Sequence, residues 1–308
     1  MSSELSPEIG PPHRNNSRAA IESSIAAVSF ATMAALAHGF HDQLAWPIVA
    51  FARVIVGLVL ALVMMRIYRA PLVVRGTKAL WSRTLSGAVG LMCTFYSLAN
   101  LPVTDVITIF AMSPIWIAVI LAIGFRERMS RGVWLYAALA LAGVYVMQRP
   151  SFDTDSFPIL IAVFGSVIVA VVKVSLSRCG DLHPLSVVTH HMGFTTLVTL
   201  LLCFMWTDTL VLDPDMAATR WLWLIPVGLI GTVAQLFMTM AYAHGNTTMV
   251  AMVGLSNIAV AAAYDVLIWG RVFDALHVLG VVMIAASIAM SLSTSAREAR
   301  VAAAEVNA

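Results

Sequence analysis

The sequence predicts an all-α integral membrane protein, with ten transmembrane helices arranged as two inverted five-helix repeats. Three observations carry this reading. Of the 308 residues, 60% are hydrophobic and 11% charged, against roughly half and about a quarter in a soluble domain. Ten apolar runs approach or reach the ~20 residues a helix needs to cross a bilayer. The hydropathy rhythm of the third to fifth runs returns 144 residues later in the eighth to tenth. This composition excludes a soluble globular enzyme, a disordered chain and a nucleic-acid binder. The three cysteines, Cys93, Cys179 and Cys203, are scattered and lie in or beside apolar runs. They read as small buried hydrophobes, without a disulfide framework or metal knuckle.

Residues 1–20 carry three prolines and two arginines among polar residues. They read as a disordered tail and not as a signal peptide, since no short apolar core follows a basic start. The spans follow at 21–40, 47–67, 84–100, 103–124, 132–148, 157–177, 184–206, 221–243, 247–269 and 275–294. Pro102 and Gly245 supply helix breaks where two pairs of spans nearly run together. The connectors 68–83 and 207–220 are longer and charged, and 295–308 forms a polar tail. The repeats are therefore expected at 21–148 and 157–294. An odd number of spans in each turns the second copy over, an arrangement typical of secondary transporters.

Lys and Arg set the orientation. With the N-terminus inside, fourteen of the eighteen fall on the inner side, Arg83 and Lys173 among them. Arg149, Arg220 and Arg271 fall outside, and Arg53 lies within the second span. Both termini are thus expected in the cytoplasm, with the chain in the cell's inner (plasma) membrane. Trp46, Trp81, Trp134, Trp206, Trp221 and Trp223 sit at span ends, as interfacial anchors do.

The residues from Leu98 to Met147 contain Leu101-Pro102, Ser113-Pro114, Glu127-Arg128, Ser130 and Gly143-Val144, and Phe51-Ala52-Arg53 lies in the second span. Together these resemble the EamA-like branch of the drug/metabolite transporter superfamily, over about residues 20–295. In the second half Arg271, Ile258 and Ser287 stand where the pattern has Glu, Pro and Gly. The resemblance implies a secondary transporter of small organic metabolites, exporting or exchanging amino acids or related amphipathic solutes by alternating access. No ATP-binding GxxxxGK[ST] occurs.

Polar residues inside a bilayer are costly and mark candidates. The eighth span carries Thr232, Gln235, Thr239 and Tyr242 on one helical stripe. The stripe serves either interhelical hydrogen bonding or, as the resemblance implies, a transport cavity. Tyr96 and Asn100 in the third span, Phe110, Ser113 and Trp116 in the fourth, and Asn257 in the ninth are the companion substrate-binding candidates. Pro114 is expected to kink its helix. His38, His190 and His191 could carry protons or simply bond between helices. Arg53 is either paired structurally or meets an anionic group, and Lys173 is expected to snorkel. No mid-membrane acid is expected, so coupling would fall to a histidine, His191 first, or the chain would exchange solutes without a proton. The cavity groups are mostly neutral and aromatic, which favours a zwitterionic solute over a highly charged one.

No cofactor or metal is expected, because HExxH and CxxC are absent. The expected partners are a small-molecule solute and the bilayer, with a homodimer as an open alternative and no nucleic acid. An intramembrane enzyme or a channel built on the polar residues of the seventh and eighth spans is the rival reading.

Overall fold

The computed structural model describes residues 15–38, 40, 44–101, 106, 109–126, 130–148, 156–205, 222–269 and 274–306. Among them the ordered elements are helices: α1 (Asn16–His38), α2 (Trp46–Tyr68), α3 (Lys78–Asn100), α4 (Ser113–Val119), α5 (Arg131–Gln148), α6 (Ser156–Ser177), α7 (Pro184–Met205), α8 (Leu224–His244), α9 (Thr247–Gly254), α10 (Ser256–Trp269) and α11 (Ala275–Val306). Seven stretches, including the run from α9 into α10, are long and apolar enough to cross a membrane. Ser113–Gly124 and Arg131–Val146 are shorter apolar helices. With α3, each of the ten apolar runs read from the sequence holds helix among its described residues.

Local chemistry explains most boundaries. Pro47 opens α2 in the first turn, where its missing N–H costs nothing. Arg69 ends α2 in the left-handed conformation and donates its N–H to Met65. The Thr77 hydroxyl accepts from the Leu80 N–H, so α3 starts at Lys78 and not near residue 84. At the start of α9 the Asn246 side chain accepts from the N–H groups of Thr248 and Met249. Helix α11 continues well past the expected end of its span.

The fourth and ninth apolar runs are broken. The fourth turns at Ala111 and Met112, restarts at Ser113 and ends in a π turn at Ile120–Gly124. Pro114 therefore sits in the first turn of a new helix, where proline is tolerated, instead of kinking a continuous one. The ninth run breaks at Leu255 between α9 and α10.

Helix α1 packs chiefly on α8, α3 on α6, α5 on α11 and α2 on α7. Small residues permit the first of these close approaches, with Ala26, Ala27, Ala31 and Ala234 buried. This is the packing a lipid environment favours, because apolar bulk gains nothing by leaving lipid. The outward faces keep large apolar side chains such as Val59, Phe164, Leu197, Leu201 and Val282 exposed, as lipid contact requires. The interior splits into several apolar clusters. One joins Phe40, Val49, Val54, Phe95 and Leu224. Another lies at the opposite end of the bundle, around Ala19, Leu80, Leu176, Tyr242 and Val250.

Candidate functional site

The polar stripe of α8 turns inward: Thr232, Gln235, Thr239 and Tyr242 are all buried. Their chemistry divides. Thr232 donates to the Gly228 carbonyl and Thr239 to the Gln235 carbonyl, each one turn back, so neither hydroxyl proton is available elsewhere. The Gln235 Nε2 is buried with no hydrogen-bond partner. The Tyr242 ring packs in the cluster with Leu80, Leu176 and Val250.

The α3 and α4 candidates occupy several environments. Tyr96 is half-buried near the end of α3, with its ring edge-to-face on Trp46 and Phe157 at 6.1 and 6.3 Å. Asn100 is exposed and donates to the Tyr96 carbonyl at 2.8 Å. Phe110 packs with Leu101, Ile109 and Ala162. Trp116 donates its indole N–H to the Ser166 hydroxyl at 3.0 Å, tying α4 to α6. Asn257 is half-buried in the first turn of α10.

Ser113 accepts a 2.7 Å hydrogen bond from the Lys173 Nζ. Lys173 does not snorkel outward, as its place near the end of α6 suggested. Its ammonium instead bridges α6 to the helix break at the start of α4.

The histidines also separate. The His190 Nδ1 shares a 2.7 Å hydrogen bond with the Thr84 hydroxyl, and its ring stands edge-on to Trp81. His191 is buried, with Nδ1 3.2 Å from the Thr195 hydroxyl. His38 is the last residue of α1, and its side chain lies outside the described residues.

Arg53 is 4% exposed. Its Nε reaches the Met33 sulfur at 3.1 Å, a weak acceptor, and its NH1 has no partner. Asp42, Asp105 and Glu127 lie outside the described residues, as does the side chain of Asp265.

Sequence reasoning missed Arg83, which it placed among the basic loop residues. Because Thr77 caps α3 early, Arg83 lies in the second turn of the helix and is 1% exposed. Its Nε and NH1 are buried without partners. The guanidinium lies over Gly87, four residues on, where a Cβ would strike the Arg83 NH1 and stand 2.7 Å from the His191 ring. An arginine followed one turn later by glycine is the signal that could have found it. Arg83 and His191 thus meet at Gly87. Beyond the end of α6, burial pushes the Cys179 thiol up to about 11, opposed by the charge of Arg83.

At the helix ends, Glu22 accepts from the Arg18 Nε at 2.9 Å and pairs with the His244 Nδ1 at 2.8 Å. The Asn15 N–H donates to the His244 carbonyl, the Asn246 N–H to the Asn16 side chain, and the Ser23 hydroxyl to the Val250 carbonyl. The start of α1 is thereby fastened to the junction of α8 and α9.

Comparison with known proteins places the chain. The pseudopaline exporter CntI of Pseudomonas aeruginosa (strain UCBPP-PA14) is 28% identical over 270 residues, 87% of this chain and 93% of the relative. An uncharacterized transporter of Helicobacter pylori (strain J99 / ATCC 700824) is 22% identical over 217 residues, 69% of this chain and 72% of the relative. One solved crystal structure superposes with a TM-score of 0.75 at 16% identity, over 91% of this chain and 98% of its own, a likeness of fold. The EamA-like transporter family matches residues 19–149 and again 156–293. The chain therefore belongs to the EamA-like transporter family.

Proposed function

We propose that the chain is a secondary transporter that exports or exchanges small organic metabolites. Two inverted five-helix repeats, 21–148 and 157–294, would alternate access around a site between them. The observation that carries this reading is a correspondence at the offset of 144. The Leu101 N–H donates to the Ser97 carbonyl at the end of α3, and the Gly245 N–H donates to the Ala241 carbonyl at the end of α8. The turn at Ala111 corresponds in the same register to the turn at Leu255, so the broken helices fall at matching places. Exchanging the two halves also turns the α1–α8 packing into the α6–α3 packing. Discontinuous helices at corresponding places mark the binding region in transporters built from repeats. The exporter relative supports the direction and the small-solute class.

The solute site is assigned to the broken helices and the α8 stripe. Ser113, Trp116, Gln235 and Asn257 would form its centre, with Tyr242 closing the stripe at the far end of α8. Tyr96, Asn100 and Phe110 would lie toward one mouth, and Thr239 would support the backbone of Gln235. The N-terminus is taken as cytoplasmic on the charge asymmetry of the connectors.

Counterflow in proteoliposomes tests the function, using a panel of labelled amino acids with the same unlabelled compound inside. Trans-stimulated uptake that weakens in Gln235→Ala supports the reading, whereas flux without trans-stimulation indicates a channel and sinks it. Single cysteines at 153, 213 and 300, placed in a background without native cysteines, test the orientation. An impermeant maleimide should label the first two, and external labelling at 300 would overturn the topology and the inverted repeat with it.

A further inference from the structure

We propose that Arg53 and Arg83 together bind the carboxylate of the transported solute, with Gln235 as a third donor. This inference rests on the transport reading and gives the solute its charge class. The neutral, aromatic lining expected from the sequence did not require an anion.

Buried guanidinium groups are the starting point. Arg53 and Arg83 are 4% and 1% exposed, yet Arg53 NH1, Arg83 Nε and Arg83 NH1 have no hydrogen-bond partner. Arginine cannot relieve such burial by losing its proton. A charge held in a membrane interior is tolerated when it pairs with another group or marks a substrate path. Among the described side chains of the apolar helices only one carboxylate is present, Glu22, and both its oxygens are held by Arg18 and His244. Among the described side chains of these helices, therefore, no carboxylate is left to pair with these two arginines.

The surroundings are shaped to keep the groups free. Each guanidinium lies beside a glycine, Arg83 over Gly87 and Arg53 beside Gly231, where a Cβ would stand 3.1 Å from the Arg53 Nε. The Arg53 Nε meets the Met33 sulfur, a weak and uncharged acceptor, and lies beside α8 at Gly231. One turn of helix from Arg53, a Cβ on Gly57 would meet Thr232 and Met192, the residue after His191. Arg83 thus lies against α7 at His191 and Arg53 against α8 at Gly231, while α2 touches both helices at Gly57. The Gln235 Nε2, likewise buried and unpartnered, lies one turn beyond Gly231 on α8. Guanidinium forks match the planar geometry of a carboxylate and bind it in bidentate fashion. A carboxylate arriving here would gain charged hydrogen bonds and neutralise a buried positive charge in one step.

Thermal unfolding of the purified chain, with succinate or glutarate against succinamide or glutaramide at matched ionic strength, tests the assignment. The carboxylates should raise the midpoint and the amides should not. Arg53→Met and Arg83→Met should each lower carboxylate affinity about tenfold or more, the worth of a charged hydrogen bond. Without ligand, each variant should melt at or above the parent midpoint, because an unpaired buried charge has gone. No carboxylate effect on the parent protein, or full protection retained in both variants, overturns the proposal. Should either Met variant fail to fold, Arg83→Lys keeps the charge but not the fork. Weakened protection then supports the site, and undiminished protection refutes it. Counterflow separates this result from the broader reading. If amides exchange equally well in the parent and in Arg83→Met, transport stands and the carboxylate site falls. If carboxylates bind but nothing exchanges, the site stands and the transport reading falls.

Discussion

Two charged clusters in the same bundle are treated in opposite ways. Where α1 meets the α8–α9 junction, Glu22 is buried with Arg18 on one oxygen and His244 on the other. Backbone and side-chain hydrogen bonds from Asn15, Asn16 and Ser23 surround it. In the interior, Arg53 and Arg83 are buried at least as deeply and keep three nitrogens without partners. The first cluster demonstrates that this chain can complete a buried charge where the charge serves architecture. Leaving the second incomplete therefore points away from architecture.

Removing the central member of the completed cluster should have the largest effect. Glu22→Ala leaves a buried gap and two donors without their acceptor, and should cost about 2–4 kcal/mol, read as a lower unfolding midpoint in detergent. Gly87→Ala presses a methyl group against Arg83 and His191 and should cost about 1–3 kcal/mol. The same change made in Arg83→Met should cost distinctly less. Equal costs in the two backgrounds would mean that the guanidinium does not occupy the Gly87 groove. His244→Gln, at the half-buried edge of the completed cluster, should cost about 0.5–1.5 kcal/mol. A loss as large as that of Glu22→Ala would show the histidine to be the keystone instead. The smallest effect is a control: Gly193→Ala on α7 meets nothing within 4 Å and should stabilise by roughly 0.5–1 kcal/mol.

The helical segments were readable because lipid imposes a simple rule, that a run of about 20 apolar residues must be helix. Position within a helix was harder to read. Hydropathy alone starts the third span near residue 84 and leaves Arg83 in the connector before it. The hydroxyl of Thr77, which begins the helix six residues earlier, carries no hydropathy signal. Lys173 was read as snorkelling because its distance from a helix end suggests that, while its partner Ser113 lies sixty residues away in sequence. Periodicity picked out the α8 stripe, since its four residues share one helical face. It could not reveal that Thr232 and Thr239 turn back on their own carbonyls, a choice of rotamer invisible to spacing. Pro114 sits in a first turn instead of at a kink because the chain turns at Ala111 and Met112; a proline is compatible with either position, and spacing does not choose between them.

The pairing of α1 with α8 has a consequence for how the protein is made. The Glu22–His244 contact joins residues 222 apart in sequence, and the Ser23–Val250 contact joins residues 227 apart. At ribosomal speeds of about 5–20 residues per second, α1 enters the bilayer roughly 10–40 seconds before its principal partner exists. Helix α3 waits a shorter time for α6. During that interval the inward faces of the early helices, with Arg53 and Arg83 on them, have no mates from their own chain. Chaperoning by the insertion machinery, or transient association with lipid headgroups, must cover them. Neither half is then a free-standing folding unit: severed at the 149–155 connector, the two pieces should require synthesis side by side to regain the assembled bundle.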